Sequence, residues 1–271
     1  MSDLDAARSR ATRTYNAAAD HYDDPANSFW ERFGRTTVDR LQLAPGSRVL
    51  DVCCGCGASA LPAAEHVGPN GSVLGLDLAE RLLERGREKA AERGLRNVEF
   101  RVGDLLDLKQ PSNHFDAVVC VFGLFFVPDM AAAVRSLWSV VRPGGVLAIT
   151  TWGPRFFEPD SGEFWRSVRE VRPDLYKGFN PWDLVVDPGA LRSVLHAGGV
   201  EEVEVVAVPG EHRLETPECW WAAVMGSGYR GTVEQLSAAD RERVRAENFR
   251  FIRERGPHAV EANVVYATAR K

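Results

Sequence analysis

The 271-residue sequence lacks three features that would each define a class of protein. No apolar run is long enough to cross a bilayer, and Met1-Ser2-Asp3 does not begin the basic-then-apolar pattern of a secretory signal. Positive charge is not in excess, because 33 Lys and Arg stand against 38 Asp and Glu, for a formal net charge of −5. Nucleic-acid binding needs a basic face. The sequence therefore predicts a cytoplasmic protein whose partner is neither a membrane nor a nucleic acid.

Cysteine is too sparse for a disulfide framework. The five cysteines are an odd number, and three of them crowd into Cys53-Cys54-Gly55-Cys56, which suits a reducing compartment. This C-x-x-C spacing also occurs in redox and metal sites, but Cys120 and Cys219 are single and distant, so no second pair completes a zinc site. We interpret the cluster as small residues in a tight turn and predict no metal; a thiol cluster for a soft substrate such as arsenite is the alternative.

What the sequence does contain is an alternation of apolar strands and helices. Helical patterns at 58–66, 79–93, 130–141 and 190–197 separate short apolar runs, as in βαβ units. We predict an α/β fold with a doubly wound, mostly parallel seven-stranded sheet, helices on both faces and an antiparallel last strand. The predicted strands are 47–52, 73–77, 98–102, 115–121, 146–151, 202–208 and 262–268.

The chain shows no linker between domains, so we expect one domain over residues 1–271. Its parts are an N-terminal helical cap (1–43), a cofactor-binding core (44–151) and the remaining sheet (152–271). Helical inserts are predicted after strands five and six, at about 156–188 and 212–256. Because ligands of open α/β sheets bind outside the carboxyl ends of the strands, these inserts are candidate lids on the substrate side.

The first strand runs into a glycine turn that is typical of a nucleotide-binding site. Gly55 and Gly57 allow a ligand to approach the main chain, and the next helix points its free N–H groups at the bound group. Asp77 ends the second strand, where a carboxylate can accept hydrogen bonds from a ribose. The run from Gly55 to Ala60 also fits the G-x-G-x-x-A dinucleotide pattern, so an NAD-dependent oxidoreductase is an alternative.

Two acidic residues favour a different cofactor. Asp51 lies inside the first strand, where a dinucleotide fingerprint has an apolar residue, and suits a cofactor with a cationic amino group. Gly103-Asp104-Leu105 ends the third strand and places an acceptor where an adenine amino group could donate. Arg142-Pro143-Gly144-Gly145 precedes the fifth strand and completes the pattern.

From Tyr15 to Thr151 these segments resemble the class I S-adenosylmethionine-dependent methyltransferases, especially the branch that acts in ubiquinone and menaquinone biosynthesis. The resemblance implies S-adenosyl-L-methionine as the cofactor. The chain departs from the family at Cys53, where glycine is usual, so the added side chain must fit while its carbonyl serves the cofactor's amino group. The residues implied to contact the cofactor are Tyr22, Asp51, Cys53, Gly55, Gly57, Asp77, Leu78, Gly103, Asp104, Leu105 and Cys120.

The resemblance also implies which part of the cofactor each of these residues contacts. Asp51, Gly55 and Gly57 would shape the methionine pocket, with Cys120 nearby and Tyr22 closing over the carboxylate. Asp77 would hold the ribose hydroxyls. Leu78 would lie beside the adenine, and Asp104 with Leu105 would bind its edge.

The sequence indicates less clearly which residues would bind the methyl acceptor. Aromatic residues follow strands four and five, and those in the loops would give the acceptor apolar walls. The glycine-rich run 225–231 is either an interhelical loop or a lid element for an anionic group. The Asn/Asp-Pro-Pro-Tyr/Phe signature of nucleic-acid methyltransferases is missing at Phe122-Gly123-Leu124-Phe125. The candidate substrate-binding residues are Phe29, Trp30, Phe125, Trp152 and Tyr229.

The sequence therefore predicts methyl transfer to oxygen or carbon of a small molecule, of aromatic, quinone-like or isoprenoid character. The alternatives are the NAD-dependent oxidoreductase and a non-catalytic S-adenosylmethionine-binding protein. No catalytic base is identified; Tyr15, His21 and Glu163 are hypotheses from position alone. The acceptor and the oligomeric state are left open.

Overall fold

The computed structural model describes residues 3–271, with side chains from Arg8 onward, and is built around a seven-stranded sheet in the order β3-β2-β1-β4-β5-β9-β6. The strands are β1 (Arg48–Val52), β2 (Ser72–Asp77), β3 (Val98–Val102), β4 (Phe115–Val121), β5 (Val141–Trp152), β6 (Glu204–Val208), β7 (Glu211–Leu214), β8 (His258–Glu261) and β9 (Val264–Arg270). The helices are α1 (Asp3–Tyr22), α2 (Phe29–Asp39), α3 (Ala60–Val67), α4 (Glu80–Glu92), α5 (Met130–Val140), α6 (Asp160–Val171), α7 (Pro188–Ala197), α8 (Pro217–Met225), α9 (Arg230–Val233) and α10 (Ala238–Arg255).

The predicted fold class is confirmed. Strands β1 to β5 pair in parallel, and β9 lies antiparallel between β5 and β6. β1 and β4 occupy the centre and are almost entirely buried, as expected for parallel strands covered on both faces. This arrangement brings the carboxyl ends of β1, β2, β3 and β4 to one edge of the sheet.

Two features of the sheet differ from the sequence prediction. β5 begins at Val141, whereas the prediction began this strand at 146. Arg142-Pro143-Gly144-Gly145 is therefore part of the strand, and its register opposite β4 is irregular at this end. β7 and β8 form a separate antiparallel ladder that was missed. Their sequences, EHRL and HAVE, are too short and too polar to show strand periodicity.

The N-terminal segment lies over the carboxyl edge of the sheet. α1 contacts α4, α8 and α9, and α2 packs against α3, β4 and β5. Residues 1 and 2 of the predicted cap lie outside the described residues. The predicted helical inserts are present as α6 with short 3₁₀ turns, and as α8, α9 and α10. Over residues 3–271, no helix combines the length and the apolar character needed to cross a membrane.

Candidate cofactor and acceptor site

A cavity opens at the carboxyl edge of the sheet, between the cap and the inserts. It encloses about 1290 Å³ of space, a volume that includes the open solvent at its mouth. Its walls come from α1, the turns after β1 to β4, the end of β5 and the 3₁₀ turn at Trp182. One half is polar and the other is aromatic, so the cavity has room for two chemically different molecules.

The polar half is organised by the carboxylate of Asp77. One of its oxygens accepts a hydrogen bond from the Gly55 N–H at 2.9 Å, and the other accepts one from the Ala79 N–H at 2.9 Å. These bonds join the glycine turn after β1 to the start of α4. Burial raises the pKa of Asp77, while its backbone hydrogen bonds oppose that rise.

Glycine is required at Gly57 and favoured at Gly55. Both have positive φ, at +90° and +54°. A side chain at Gly57 would meet Leu61 and Phe100 at 2.9 Å, whereas one at Gly55 would project to within 3.3 Å of the Tyr22 hydroxyl. Gly57 thus packs against Leu61 and Phe100 on the core side of the turn, whereas Gly55 lines the cavity beneath Tyr22.

The Cys53 backbone keeps a glycine-like conformation, with φ at +61°. This conformation costs a non-glycine residue about 1–2 kcal/mol. The Cys53 side chain fits because it turns toward β4, where its thiol lies close to the thiol of Cys120. That contact and burial together raise the pKa of Cys53 well above its ordinary value. Cys53 lines the cavity, and Cys120 lies fully buried beneath it.

The remaining cysteines of the cluster point elsewhere. The Cys56 thiol donates to Asp23 at 3.2 Å and lies 3.6 Å from the Lys89 ammonium, and the Cys54 thiol approaches the Gly55 carbonyl. All five cysteines are free. Among the described residues, no group of three or more His, Cys, Asp or Glu side chains could hold a metal ion.

Asp104 lies at the far end of the polar half. It accepts a hydrogen bond from the Leu106 N–H at 2.8 Å and forms an ion pair with Arg8 of α1, also at 2.8 Å. The cap is thereby tied to the turn after β3. Leu105, next to Asp104, is buried in the cavity wall.

Asp51 is almost completely buried behind the polar half, with 1% of its surface exposed. One of its oxygens accepts a hydrogen bond from the Ser59 hydroxyl at 2.7 Å, and the other has no hydrogen-bond partner among the described residues. Burial raises the pKa of Asp51 to about 7, and the nearby Asp77 adds to the rise, while the Ser59 hydroxyl opposes it. Ser59 lies between Asp51 and the cavity, which it lines.

Most of the residues predicted for the cofactor come together. Those that line the cavity are Tyr22, Cys53, Gly55, Asp77, Leu78, Gly103, Asp104 and Leu105. Asp51, Gly57 and Cys120 do not line it, because Asp51 lies behind Ser59, Gly57 supports the turn and Cys120 is fully buried beneath Cys53. Ser59 was missed, since a serine that starts a helix has an ordinary N-cap explanation; here its hydroxyl binds Asp51 instead.

The aromatic half is walled by rings from three parts of the chain. Phe122 and Trp152 stack with centroids 3.8 Å apart, and Phe156 packs on Trp152 at 4.1 Å. Trp182 closes one side against Phe156. The positive φ of Phe122, at +54°, turns the chain after β4 so that its ring meets Trp152.

Four of the five predicted substrate residues line the cavity: Trp30, Phe125, Trp152 and Tyr229. Phe29 does not, because it is fully buried among Trp30, Phe157 and His212. Within the run 225–231, Ser227, Gly228 and Tyr229 reach the cavity. Trp182 was missed, since nothing in the sequence sets it apart from the other tryptophans of the inserts.

The three hypothetical bases are placed differently. Tyr15 lines the cavity, and burial, with the nearby Asp77 carboxylate as a further cause, raises its pKa, so that it stays a hydroxyl donor at neutral pH. His21 is not among the lining residues, and its carbonyl oxygen accepts from the Asn27 side chain. Glu163 is also outside the lining and is held by Arg166 at 2.6 Å.

Fold and cavity together define an α/β protein of the Rossmann-like class that takes a nucleoside-containing cofactor at its glycine turn. Residues 49–145 match a family model described as "Methyltransferase domain". The chain is 42% identical to the demethylmenaquinone methyltransferase of Listeria monocytogenes over 117 residues, which are 43% of this chain and 49% of that protein. The match to this chain thus spans about half the length of the demethylmenaquinone methyltransferase.

A second relative is similar over nearly the whole chain. The nocamycin O-methyltransferase of Saccharothrix syringae is 30% identical over 274 residues, covering 94% of this chain and 96% of that protein. A solved structure, the phosphoethanolamine N-methyltransferase 2 of Haemonchus contortus in complex with phosphomonomethylethanolamine and S-adenosylhomocysteine, has the same fold. Its TM-score is 0.60 at 16% identity, over 98% of this chain and 60% of that one. The chain belongs to the class I S-adenosylmethionine-dependent methyltransferases, whose cofactor is S-adenosyl-L-methionine.

Proposed function

We propose that this chain transfers the methyl group of S-adenosylmethionine to oxygen or carbon of a small, uncharged aromatic or quinone-like acceptor. One observation carries the proposal: a single cavity joins a polar half, built on the glycine turn and Asp77, to an aromatic half. The first half suits a nucleoside with an amino-acid tail. The second suits a flat apolar ring. The curated relatives are named for a quinone acceptor and for O-methylation, which supports this class.

Within this proposal, each part of the polar half has a role. Asp77 would hold the ribose hydroxyls, Asp104 and Leu105 would bind the adenine edge with Leu78 beside it, and Gly55 would let the methionine part approach the main chain beneath Tyr22. The side chains of Trp30, Phe125, Trp152 and Tyr229 would form the acceptor walls. Residues 1–271 would act as one domain, with the segments 156–188 and 212–256 on the acceptor side. The free cysteines of the chain and its excess of acidic over basic residues favour a location in the cytoplasm.

The reaction is an in-line displacement. The cofactor supplies an electrophilic methyl group on a sulfonium. The acceptor's oxygen or carbon would form the new bond to the methyl carbon as the carbon–sulfur bond breaks, with S-adenosylhomocysteine as the leaving group, and an acceptor proton would be lost to solvent before or after the transfer. The protein holds the acceptor in line by packing its ring against Phe122, Trp152 and Phe156, and the cap and inserts exclude water.

The test begins with calorimetric titration of the purified chain with S-adenosylmethionine, S-adenosylhomocysteine and NAD. We expect micromolar binding of the first two, none of NAD, and weaker binding in Asp77→Ala. A set of phenols and naphthohydroquinones is then incubated with S-adenosylmethionine, and mass spectrometry detects the added methyl group. Binding of NAD alone would move the NAD-dependent oxidoreductase to first place. Cofactor binding without turnover of any acceptor in the set would favour the non-catalytic binding protein.

A further inference from the structure

The thiols of Cys53 and Cys120 share one niche beside Gly123. A side-chain carbon added at Gly123 would lie 2.7 Å from the Cys53 sulfur and 2.9 Å from the Cys120 sulfur, so both sulfur atoms lie close to a single point. Because Gly123 lacks that carbon, the two thiols have room there. Cys53 is half-buried and lines the cavity, whereas Cys120 is fully buried beneath it. The niche therefore offers two sulfur atoms to a molecule that enters from the cavity.

The other three cysteines lie outside this niche. Cys54 is buried in the core together with Phe100, and the Cys56 thiol donates to Asp23. Cys219 belongs to α8 and is not among the residues that line the cavity. The structure thus pairs a cysteine of the turn with one of β4, and not the two ends of the C-x-x-C run that the sequence suggests.

The backbone of Cys53 keeps its thiol in this place at a cost. Its φ of +61° is a conformation that glycine adopts freely and that costs another residue about 1–2 kcal/mol. Strained residues of this kind collect at functional sites, where the surrounding structure holds them. A thiol that is retained at such a position, in the wall of a cavity and next to a second thiol, indicates a use for the sulfur atom itself.

The state of the thiols narrows the chemistry. The neighbouring Cys120 thiol and burial raise the pKa of the Cys53 thiol, so it keeps its proton at neutral pH. Oxidation and metal binding both use the thiolate form. A trivalent arsenic oxide differs, because its own oxygen takes up the thiol protons. Phe122, next to Gly123 in the chain, stacks on Trp152 and gives an aryl group on the arsenic an apolar wall.

We propose that Cys53 and Cys120 form a two-thiol site for an aryl-substituted trivalent arsenical in the wall of the cavity. An arylarsine oxide reacts with both thiols: two arsenic–sulfur bonds form, the arsenic–oxygen bond breaks, and the oxygen leaves as water with the two thiol protons. Arsenic stays trivalent, so no oxidant or reductant takes part. The turn after β1 and strand β4 hold the two sulfur atoms together, so the second bond closes within the protein and strengthens the first.

The test uses phenylarsine oxide, added in equimolar amount to the reduced 271-residue chain. Intact-mass measurement should show one phenylarsenic group per chain, and peptide mapping should place it on Cys53 and Cys120. The adduct should persist in excess glutathione, a monothiol, and be released by dithiothreitol, a dithiol. In the urea-unfolded chain the group should move to the neighbouring cysteines of the run 53–56, because only the fold brings Cys120 near.

Four variants assign the two sulfur atoms. Cys53→Ser and Cys120→Ser should each hold the group at least about 100-fold less tightly, since a single thiol loses the second bond. Cys53→Gly should lose it equally while the melting temperature does not fall, because glycine adopts the positive φ without strain. Cys219→Ser is the matched control, since Cys219 is also half-buried but lies outside the cavity lining, and it should behave as the wild type.

The outcomes keep this inference separate from the proposed function. An adduct on another pair of cysteines in the folded chain, or equal retention in Cys53→Gly, would overturn the inference; Cys53→Gly also decides if Cys120→Ser does not fold. S-adenosylhomocysteine at about 100 times its dissociation constant should slow the labelling by up to about 100-fold. If this ligand does not bind, the proposed function fails and the two-thiol site stands. If it binds without slowing the labelling, the thiols are not reached from the cavity, and only the inference fails.

Discussion

At the scale of single residues, the site depends on carboxylates that hold the backbone in place. Asp77 bonds two backbone N–H groups with its two oxygens, so it shapes the glycine turn before any ligand arrives. Asp77 also lines the cavity. We therefore expect it to affect both the stability of the turn and the affinity of the site.

Replacement of Asp77 should separate these two effects. Asp77→Ala removes both backbone acceptors and the expected ribose contact, so we expect cofactor affinity to fall roughly 10- to 100-fold and the free energy of unfolding to fall by about 1–3 kcal/mol. Calorimetry and urea denaturation measure the two quantities. Asp77→Asn keeps one acceptor oxygen and should lose less of each. Wild-type affinity in Asp77→Ala would rule out a role for this carboxylate in the site.

Asp51 should make the stability of the cofactor-free protein depend on pH. Its pKa is raised from 3.8 to about 7 in the folded chain, so its stabilising contribution is complete below pH 3.8 and is lost as the pH rises through 7. Asp51→Asn has no such loss and should gain stability relative to the wild type between pH 5 and pH 8, by roughly 2–3 kcal/mol. Urea denaturation at both pH values tests this. A stability difference that is the same at pH 5 and pH 8 would contradict it.

The sequence predicted which residues lie together where a backbone motif fixes their position, and their roles toward a cofactor stay predictions. Gly55, Asp77 and Asp104 follow the ends of adjacent strands, so their meeting at one edge follows from the parallel sheet. Phe29 was placed in the acceptor site, but it faces the core, because periodicity in a short amphipathic helix does not tell which of two adjacent rings, Phe29 or Trp30, faces a cavity.

At the scale of elements, the first insert is fixed to the β7–β8 ladder by a hydrogen-bonded pair of side chains. Asp160 at the start of α6 is fully buried, and its oxygens lie 3.0 and 3.1 Å from the Nε2 atom of His258 in β8. The next residue, Ser161, hydrogen-bonds with the hydroxyl of Tyr229 at 3.1 Å. The β7–β8 ladder that was missed from the sequence therefore anchors Tyr229 in the cavity wall. A contact between residues 98 positions apart gives no local signal.

Loss of the histidine should destabilise this anchor. His258→Ala leaves the Asp160 carboxylate buried without its partner, and we expect the free energy of unfolding to fall by about 3–5 kcal/mol. Asp160→Asn should cost less, because a neutral amide is cheaper to bury. Thermal or urea denaturation gives the values. The control is Arg155→Ala, which removes an exposed ion pair with Glu261 and should cost under about 1 kcal/mol; equal losses in His258→Ala and Arg155→Ala would refute the anchor.

The α1 helix should respond to the cofactor as a unit. Arg8, Thr12 and Tyr15 of α1 line the cavity, and Arg8 is paired with Asp104. A bound cofactor would fill the space beneath the helix, so we expect the amide hydrogens of α1 to exchange at least about tenfold more slowly. Hydrogen exchange with and without S-adenosylhomocysteine measures this. α7, which packs against α5 and β6, is the internal control; equal changes in α1 and α7 would contradict a specific role for the cap.

At the scale of the whole molecule, the cofactor cavity and the fold share residues, so ligand binding should be visible as stability. A ligand at about 100 times its dissociation constant stabilises a protein by about 2.7 kcal/mol. For a chain of this size the melting temperature should rise roughly 5–10 °C with S-adenosylhomocysteine. NAD at the same concentration should leave it unchanged. Differential scanning fluorimetry tests both, and a rise with NAD instead would favour the oxidoreductase alternative.

The parallel pairing of the sheet was predictable from the sequence, whereas the ends of some strands were not. Alternating strands and helices predict parallel pairing, and a predicted strand such as β4 was placed at its observed ends. The start of β5 was misplaced, because the Pro-Gly-Gly run reads locally as a break and only the pairing with β4 and β9 makes it part of a strand. Tertiary pairing overrides turn propensity here.

The position of β9 also sets the order in which the molecule can form. β9 is inserted between β5 and β6, and Lys271, just after it, bonds back to the Gly145 carbonyl oxygen. During synthesis β6 leaves the ribosome long before β9, so that edge of the sheet has no partner until β9 emerges. The glycine turn and Asp77 belong to strands that pair early. The polar half of the cavity can therefore assemble first, whereas the edge formed by β5 and β6 must wait until β9 has been made.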